Sequence, residues 1–245
     1  MINLQRNTLE LRFPEIHENA GVRIDFQRTI RVPDDGNEHF LPPGLGNFPV
    51  RHIEDYDLSK AEELKKRGGV ILPMFQADAL WLNFSPLVAS RRGSWGDDID
   101  ETYPIALKIG TGKICAVSGL PWSGTLNRDP QDYVIIPEQD WLDGYNVDKN
   151  NVRQFVAAPL GKGYTVEEQL TGSASVGGIQ IQAFPLKLEK YNEYIAEQKR
   201  SDGVGWAPAE SQFTVTCQPI YSRDKVANFS YSAFIKGANI NKGYI

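Results

Sequence analysis

The chain has 245 residues, 41% hydrophobic and 23% charged, which suits one large folded domain or two small ones. The formal net charge of -5, with basic runs no longer than Lys65-Lys66-Arg67 and Arg91-Arg92, excludes the basic face that nucleic acid needs. No apolar run reaches the length of a transmembrane helix and the first residues lack a signal-peptide pattern, so no membrane span and a cytoplasmic protein are expected.

In chain order, 22–32 alternates with a period of two: Val22, Ile24, Phe26, Ile30 and Val32 share one side, with Arg28 falling among them. That predicts a long, half-buried strand followed by a turn at Asp34-Asp35-Gly36. Prolines and glycines leave 37–56 irregular. A short helix is predicted over 57–67, started by Asp57 or Ser59 and stopped at Gly68-Gly69. Strands are predicted at 70–74 and 79–84, then a polar, glycine-containing insertion over 85–101. A hairpin over 103–117 turns at Gly110-Thr111-Gly112, and 133–136 is a further strand.

The last third carries predicted strands at 152–158, 179–184, 213–217 and 229–235. A helix over 186–200 recurs in Leu188, Tyr191 and Ile195. No repeat or linker divides the chain, so one domain over 1–245 is expected, with 237–245 as a flexible or strand-adding tail. About ten short strands against two or three short helices make a mostly-β pattern, an antiparallel sandwich or barrel-like arrangement. Cys115 and Cys217 lie far apart in alternating runs and read as free buried thiols.

The stretch Pro159-Leu-Gly-Lys-Gly-Tyr-Thr-Val-Glu-Glu-Gln-Leu-Thr-Gly172 resembles a phosphate cradle, with Gly161, Lys162 and Gly163 before a helix start. Thr165-Val166-Glu167-Glu168, however, spells a capping box, which takes up the backbone donors an anion would use. Two carboxylates in the first turn would also repel it, so a turn outweighs a phosphate site. Gly110-Thr-Gly-Lys113 fails as a Walker loop, because Leu107 stands where the first glycine belongs and Ile114 where Ser or Thr belongs.

His17, His39 and His52 lie at no ligand spacing, so no metal site or other cofactor is expected. No nucleophile elbow or Cys–His context marks a catalytic residue. Asp97, Asp98, Asp100 and Glu101 form one acidic cluster, and Asn146-Val147-Asp148-Lys149-Asn150 a second, without the glycine and glutamate of a calcium loop. Trp81 reads as core. Trp95, Trp122, Trp141 and Trp206 stand in predicted loops, as stacking platforms for a ligand or as plugs at the ends of a sandwich.

The phrases "FQRTIRVPDDG", "LPPGLGNFPV", "GGVILPMFQADALWLNF", "DPQDYVIIPEQDWLDG" and "VRQFVAAPLGKGYTVEEQLTG", taken together, resemble a family of uncharacterised conserved bacterial proteins. The resemblance implies one coherent domain and brings no activity, cofactor or catalytic residue. From the residues themselves the expected function is a non-enzymatic, β-rich binding or self-assembling structural protein, associating through β-edges such as 22–32. The alternative is a hydrolase or transferase acting on a carbohydrate or nucleotide, with Asp97, Asp98, Asp100 and Glu101 as acids and Trp95 and Trp122 as a platform. A lectin-like module resting on the loop tryptophans is third.

Overall fold

The structure, a computed structural model, describes residues 2–33, 35, 39–56, 66, 68–92, 98–148, 151–173, 177–201 and 230–231. The period-two pattern becomes β1 (Ile2–Gln5), β2 (Thr8–Arg12) and β3 (Gly21–Thr29), two successive antiparallel pairs. A short pair, β4 (Arg51–His52) and β5 (Val70–Ile71), follows, then β6 (Ala79–Pro86). A ribbon of β7 (Val88–Arg92) and β8 (Asp98–Thr102) precedes β9 (Ile105–Thr111), β10 (Ile114–Cys115) and β11 (Val134–Ile136). The chain continues through β12 (Trp141–Leu142), β13 (Gly144–Asp148), β14 (Asn151–Val156), helix α1 (Val166–Thr171), β15 (Ile179–Pro185), helix α2 (Leu188–Ser201) and β16 (Ser230–Tyr231).

Two open sheets carry the fold. The eight-stranded sheet runs β1-β2-β3-β6-β14-β13, with β12 beside β6 and β16 parallel to β14. In the four-stranded sheet β9 is central, paired along its whole length with β15 on one side and with β11 and β10 on the other. One contiguous core joins them: Leu9, Leu11, Val22, Ile24, Phe26, Leu80, Leu82 and Phe155 from the larger sheet meet Ile105, Leu107, Ile109, Val134, Ile179 and Ile181 from the smaller. The mostly-β, antiparallel expectation is met in the form of open sheets.

Several expectations need correction. β3 stops at Thr29, because its partner β6 begins at Ala79, directly opposite. Ile30 is consequently exposed instead of sharing the inner side. Because β2 and β6 flank β3, that strand is interior and offers no edge to another chain. The strand at 70–74 shrinks to Val70–Ile71. The polar insertion at 85–101 contains the tail of β6 and the β7–β8 ribbon; Val88 pairs with Thr102 and Arg92 with Asp98. A two-stranded ribbon needs no alternating apolar face, which is why the pattern did not disclose it. Helix 186–200 begins two residues later, at Leu188. The helix expected over 57–67 falls almost wholly, and the strands at 213–217 and 229–235 largely, outside the described residues, as does the tail 237–245.

Candidate functional site

Beyond Thr29 the chain has no strand neighbour, and a side chain takes over that role. Gln154, buried on β14, accepts the Val32 N–H at 3.0 Å and donates its Nε2 to the Ile30 carbonyl at 3.0 Å. The amide thus supplies the donor and acceptor of a missing ladder rung. It fixes Arg31, the residue between.

A second wall comes from the turn 75–78 ahead of β6. Asp78 closes it, donating its N–H to the Phe75 carbonyl at 3.0 Å and accepting the Phe75 N–H on Oδ2 at 2.9 Å. Its other oxygen receives Arg28 Nη2 at 2.9 Å. The turn is tied to the end of β14 by Ala77 N–H to the Ala157 carbonyl and Ala157 N–H to the Asp78 carbonyl, each 2.8 Å. Ala77 sits at φ +71°, a left-handed conformation costly for a residue with a Cβ. The turn leaves Phe75 79% exposed.

The third wall is the 159–172 stretch. Thr165 caps α1 by accepting the Glu168 N–H at 3.1 Å, and the Glu168 carboxylate returns to the Thr165 N–H at 3.2 Å. The same carboxylate accepts the Gly163 N–H at 3.2 Å. Gly161 and Gly163, at φ +82° and +76°, allow the loop to curl around it. Desolvation raises the Glu168 pKa, but the Thr165 hydroxyl and the backbone N–H groups of Gly163, Thr165 and Gly161 outweigh it and hold the carboxyl below its usual range. The cradle exists, and the anion in it is the protein's own Glu168. Lys162 is exposed beside it.

Together these walls enclose a cleft of about 270 Å³, lined by Arg31, Gln76, Ala77, Val156, Ala157, Ala158, Tyr164 and Gln169. Polar groups converge there from three separate segments, over a floor of small side chains at the end of β14. Tyr164 is 59% exposed, and the neighbouring Ile30, Phe75 and Leu170 are exposed as well. Among the described residues no acidic side chain lines the cleft, and its one formal charge is the Arg31 guanidinium.

Of the other residues singled out by sequence, those that the structure describes lie elsewhere. Trp122 is half-buried on the outer face of β9: a Cβ on Gly110 would lie 2.6 Å from its ring, and Lys108 Nζ is 5.4 Å from its centroid. It plugs the sheet. Trp81 is half-buried beneath Gly44, Trp141 is half-buried where β12 joins β6, and Trp95 and Trp206 lie outside the described residues. Asp97 lies outside them too, while Asp98 and Asp100 pair through the backbone of β8 with Arg92 and Ser90. Glu101 is half-buried beside Tyr191.

Tyr191, from α2, packs on Tyr103 at 4.3 Å and on His17 at 5.1 Å between centroids. Tyr103 donates its hydroxyl to the Leu186 carbonyl at 2.6 Å. Burial, and then the neighbouring Tyr191, push its pKa up to about 12, so the ring is a neutral packing element at physiological pH. His39 pairs with Asp35 and His52 sits in β4, and no group of metal-ligating side chains converges among the described residues. In the second acidic run Asn146 and Asp148 belong to β13, and 149–150 lie outside the described residues. Cys115 is a free buried thiol donating to the Asp132 carbonyl at 3.2 Å; Cys217 is outside the described residues.

Comparison with protein-family models, with curated proteins and with solved structures returns no match for the chain. The residues sequence reasoning missed are Arg31, Gln76, Tyr164 and Gln169. Only Tyr164 left a signal, an aromatic set between a positive-φ glycine and a helix N-cap, where packing cannot bury it.

Proposed function

We propose that this chain is a non-enzymatic binding protein that takes a small polar ligand in the cleft at the end of β14. One observation carries the reading: Arg31, Gln76, Tyr164 and Gln169, from three segments, converge on one concave space walled by backbone that is hydrogen-bonded in place. Among the described residues no Ser, Cys, Lys or His and no carboxylate pair lines the cleft, so binding without turnover fits its chemistry better than hydrolysis. No helix among the described residues is long and apolar enough to cross a membrane.

The test is a thermal-shift survey of the protein against sugars, amino acids and organic acids. At least one class should raise the Tm, and the Tyr164→Ala/Gln169→Ala double variant should lose that rise while melting unliganded at the wild-type temperature. No rise with any compound, or a rise that the double variant retains, would contradict the assignment.

A further inference from the structure

Resting on that reading, we propose a ligand class for the cleft: a sugar ring bearing a carboxylate, one acidic monosaccharide unit. The volume of about 270 Å³ lies just below the usual range of ligand pockets, which starts at roughly 300 Å³, and suits a single ring. Tyr164 lines the cleft with its ring more than half exposed, a face against which the C–H side of a pyranose packs. Gln76 brings a carbonyl acceptor and two N–H donors, and Gln169, whose Nε2 donates to the Gly163 carbonyl at 3.4 Å, brings its carbonyl acceptor and the second N–H; such a pairing of donor with acceptor matches neighbouring hydroxyls, which need both. Ala77, Ala157 and Ala158 keep the floor shallow, so that a ring can reach the end of β14.

The carboxylate follows from charge. Among the described residues Arg31 is the only charged one of the lining, in a protein of net charge -5. A guanidinium has five donors, so one that serves a partner within the protein retains others for a ligand carboxylate. A phosphorylated sugar fits less well. A dianion calls for further donors, and the adjacent loop has already committed its N–H groups to Glu168, whose charge would repel it.

Calorimetric titration with D-glucuronate, D-galacturonate, D-glucose and acetate tests the class. The two uronates should bind about tenfold more tightly than glucose, and acetate should not bind measurably. Arg31→Gln should erase the preference for the acids while leaving glucose unchanged, and Tyr164→Ala should weaken uronate and glucose alike by about tenfold. Both substitutions are on exposed side chains, and unfolding midpoints equal to the wild type would confirm an intact fold. Equal binding of uronate and glucose in the wild type, abolished by Tyr164→Ala, would overturn the acidic class and leave the cleft reading standing. Acetate binding as well as uronate would overturn the sugar. Silence from all four, together with a flat thermal-shift survey, would remove both proposals.

Discussion

Two polar clusters in this molecule look alike in composition and differ in what they leave open. On the outer face of β9, Lys108 is fully buried and its ammonium donates to Asp132 Oδ2 at 2.5 Å, Thr125 carbonyl at 2.6 Å and Ser123 Oγ at 2.7 Å. All three donors are used, Trp122 closes one side, and Asp132 Oδ1 is taken by the Asn127 N–H at 2.8 Å. At the end of β14 the partners are reversed. The structural hydrogen bonds belong mainly to backbone, Gln154 and Asp78; of the lining side chains Gln169 donates to the Gly163 carbonyl at 3.4 Å, and Arg31, Tyr164 and Gln169 are exposed. A buried charge with every donor satisfied holds a loop on a sheet; exposed ordinary groups on a fixed frame can receive a ligand. The cluster richer in charge is therefore the structural one.

Breaking the closed cluster should have the largest effect. Lys108→Met leaves the Asp132 carboxylate buried without its cation and should cost about 3–5 kcal/mol in urea denaturation. Lys108→Met combined with Asp132→Asn should recover part of that loss, because the stranded charge is gone. If the single and double variants are equally unstable, the pair is not what holds the 121–132 loop to the sheet.

Next in size is Asp143, buried between β12 and β13, whose Oδ1 finds no hydrogen-bond partner in the protein. Burial pushes its pKa up to about 6, against a lowering hydrogen bond from its own backbone. The folded protein then holds a proton that the unfolded chain releases near pH 4, so the contribution of Asp143 to stability is greatest below that pH and falls as pH rises toward 6. The loss should be on the order of 2–3 kcal/mol. Asp143→Asn should flatten this part of the pH–stability curve and stabilise the protein at pH 7. A slope that survives the substitution would locate the titrating group elsewhere.

Smaller effects come from the capped loop. Thr165→Ala removes the N-cap and should cost about 1 kcal/mol. Gly161→Ala and Gly163→Ala should each cost about 1 kcal/mol, because an L-residue is strained at positive φ. Smallest of all, Tyr164→Ala should change stability by less than about 0.5 kcal/mol. If Tyr164→Ala destabilises as much as Thr165→Ala, its ring is a packing element and the contrast between the two clusters weakens.

Much of the fold was legible because it is local. The capping box from Thr165 to Glu168 can be read letter by letter, and the alternation in β3, β9 and β15 is direct evidence of strands. Lys108 was not legible. Within Ile105-Ala-Leu-Lys-Ile-Gly-Thr111 it falls on the face that alternation gives to solvent, and it is buried only because residues 121–132 fold over that face. The cleft was hidden for a related reason. Arg31, Gln76 and the Tyr164–Gln169 loop are far apart in sequence, and only Gln154 and the turn at Asp78 bring their segments together.

The most direct measurement is a ¹⁵N–¹H correlation spectrum followed during titration with D-glucuronate. The account predicts that shifts concentrate at residues 31, 76–77, 156–158, 164 and 169, with the amides around Lys108 and Trp122 unmoved. Shifts centred on the Lys108 cluster or on the 98–102 ribbon, with the β14 cleft silent, would contradict it.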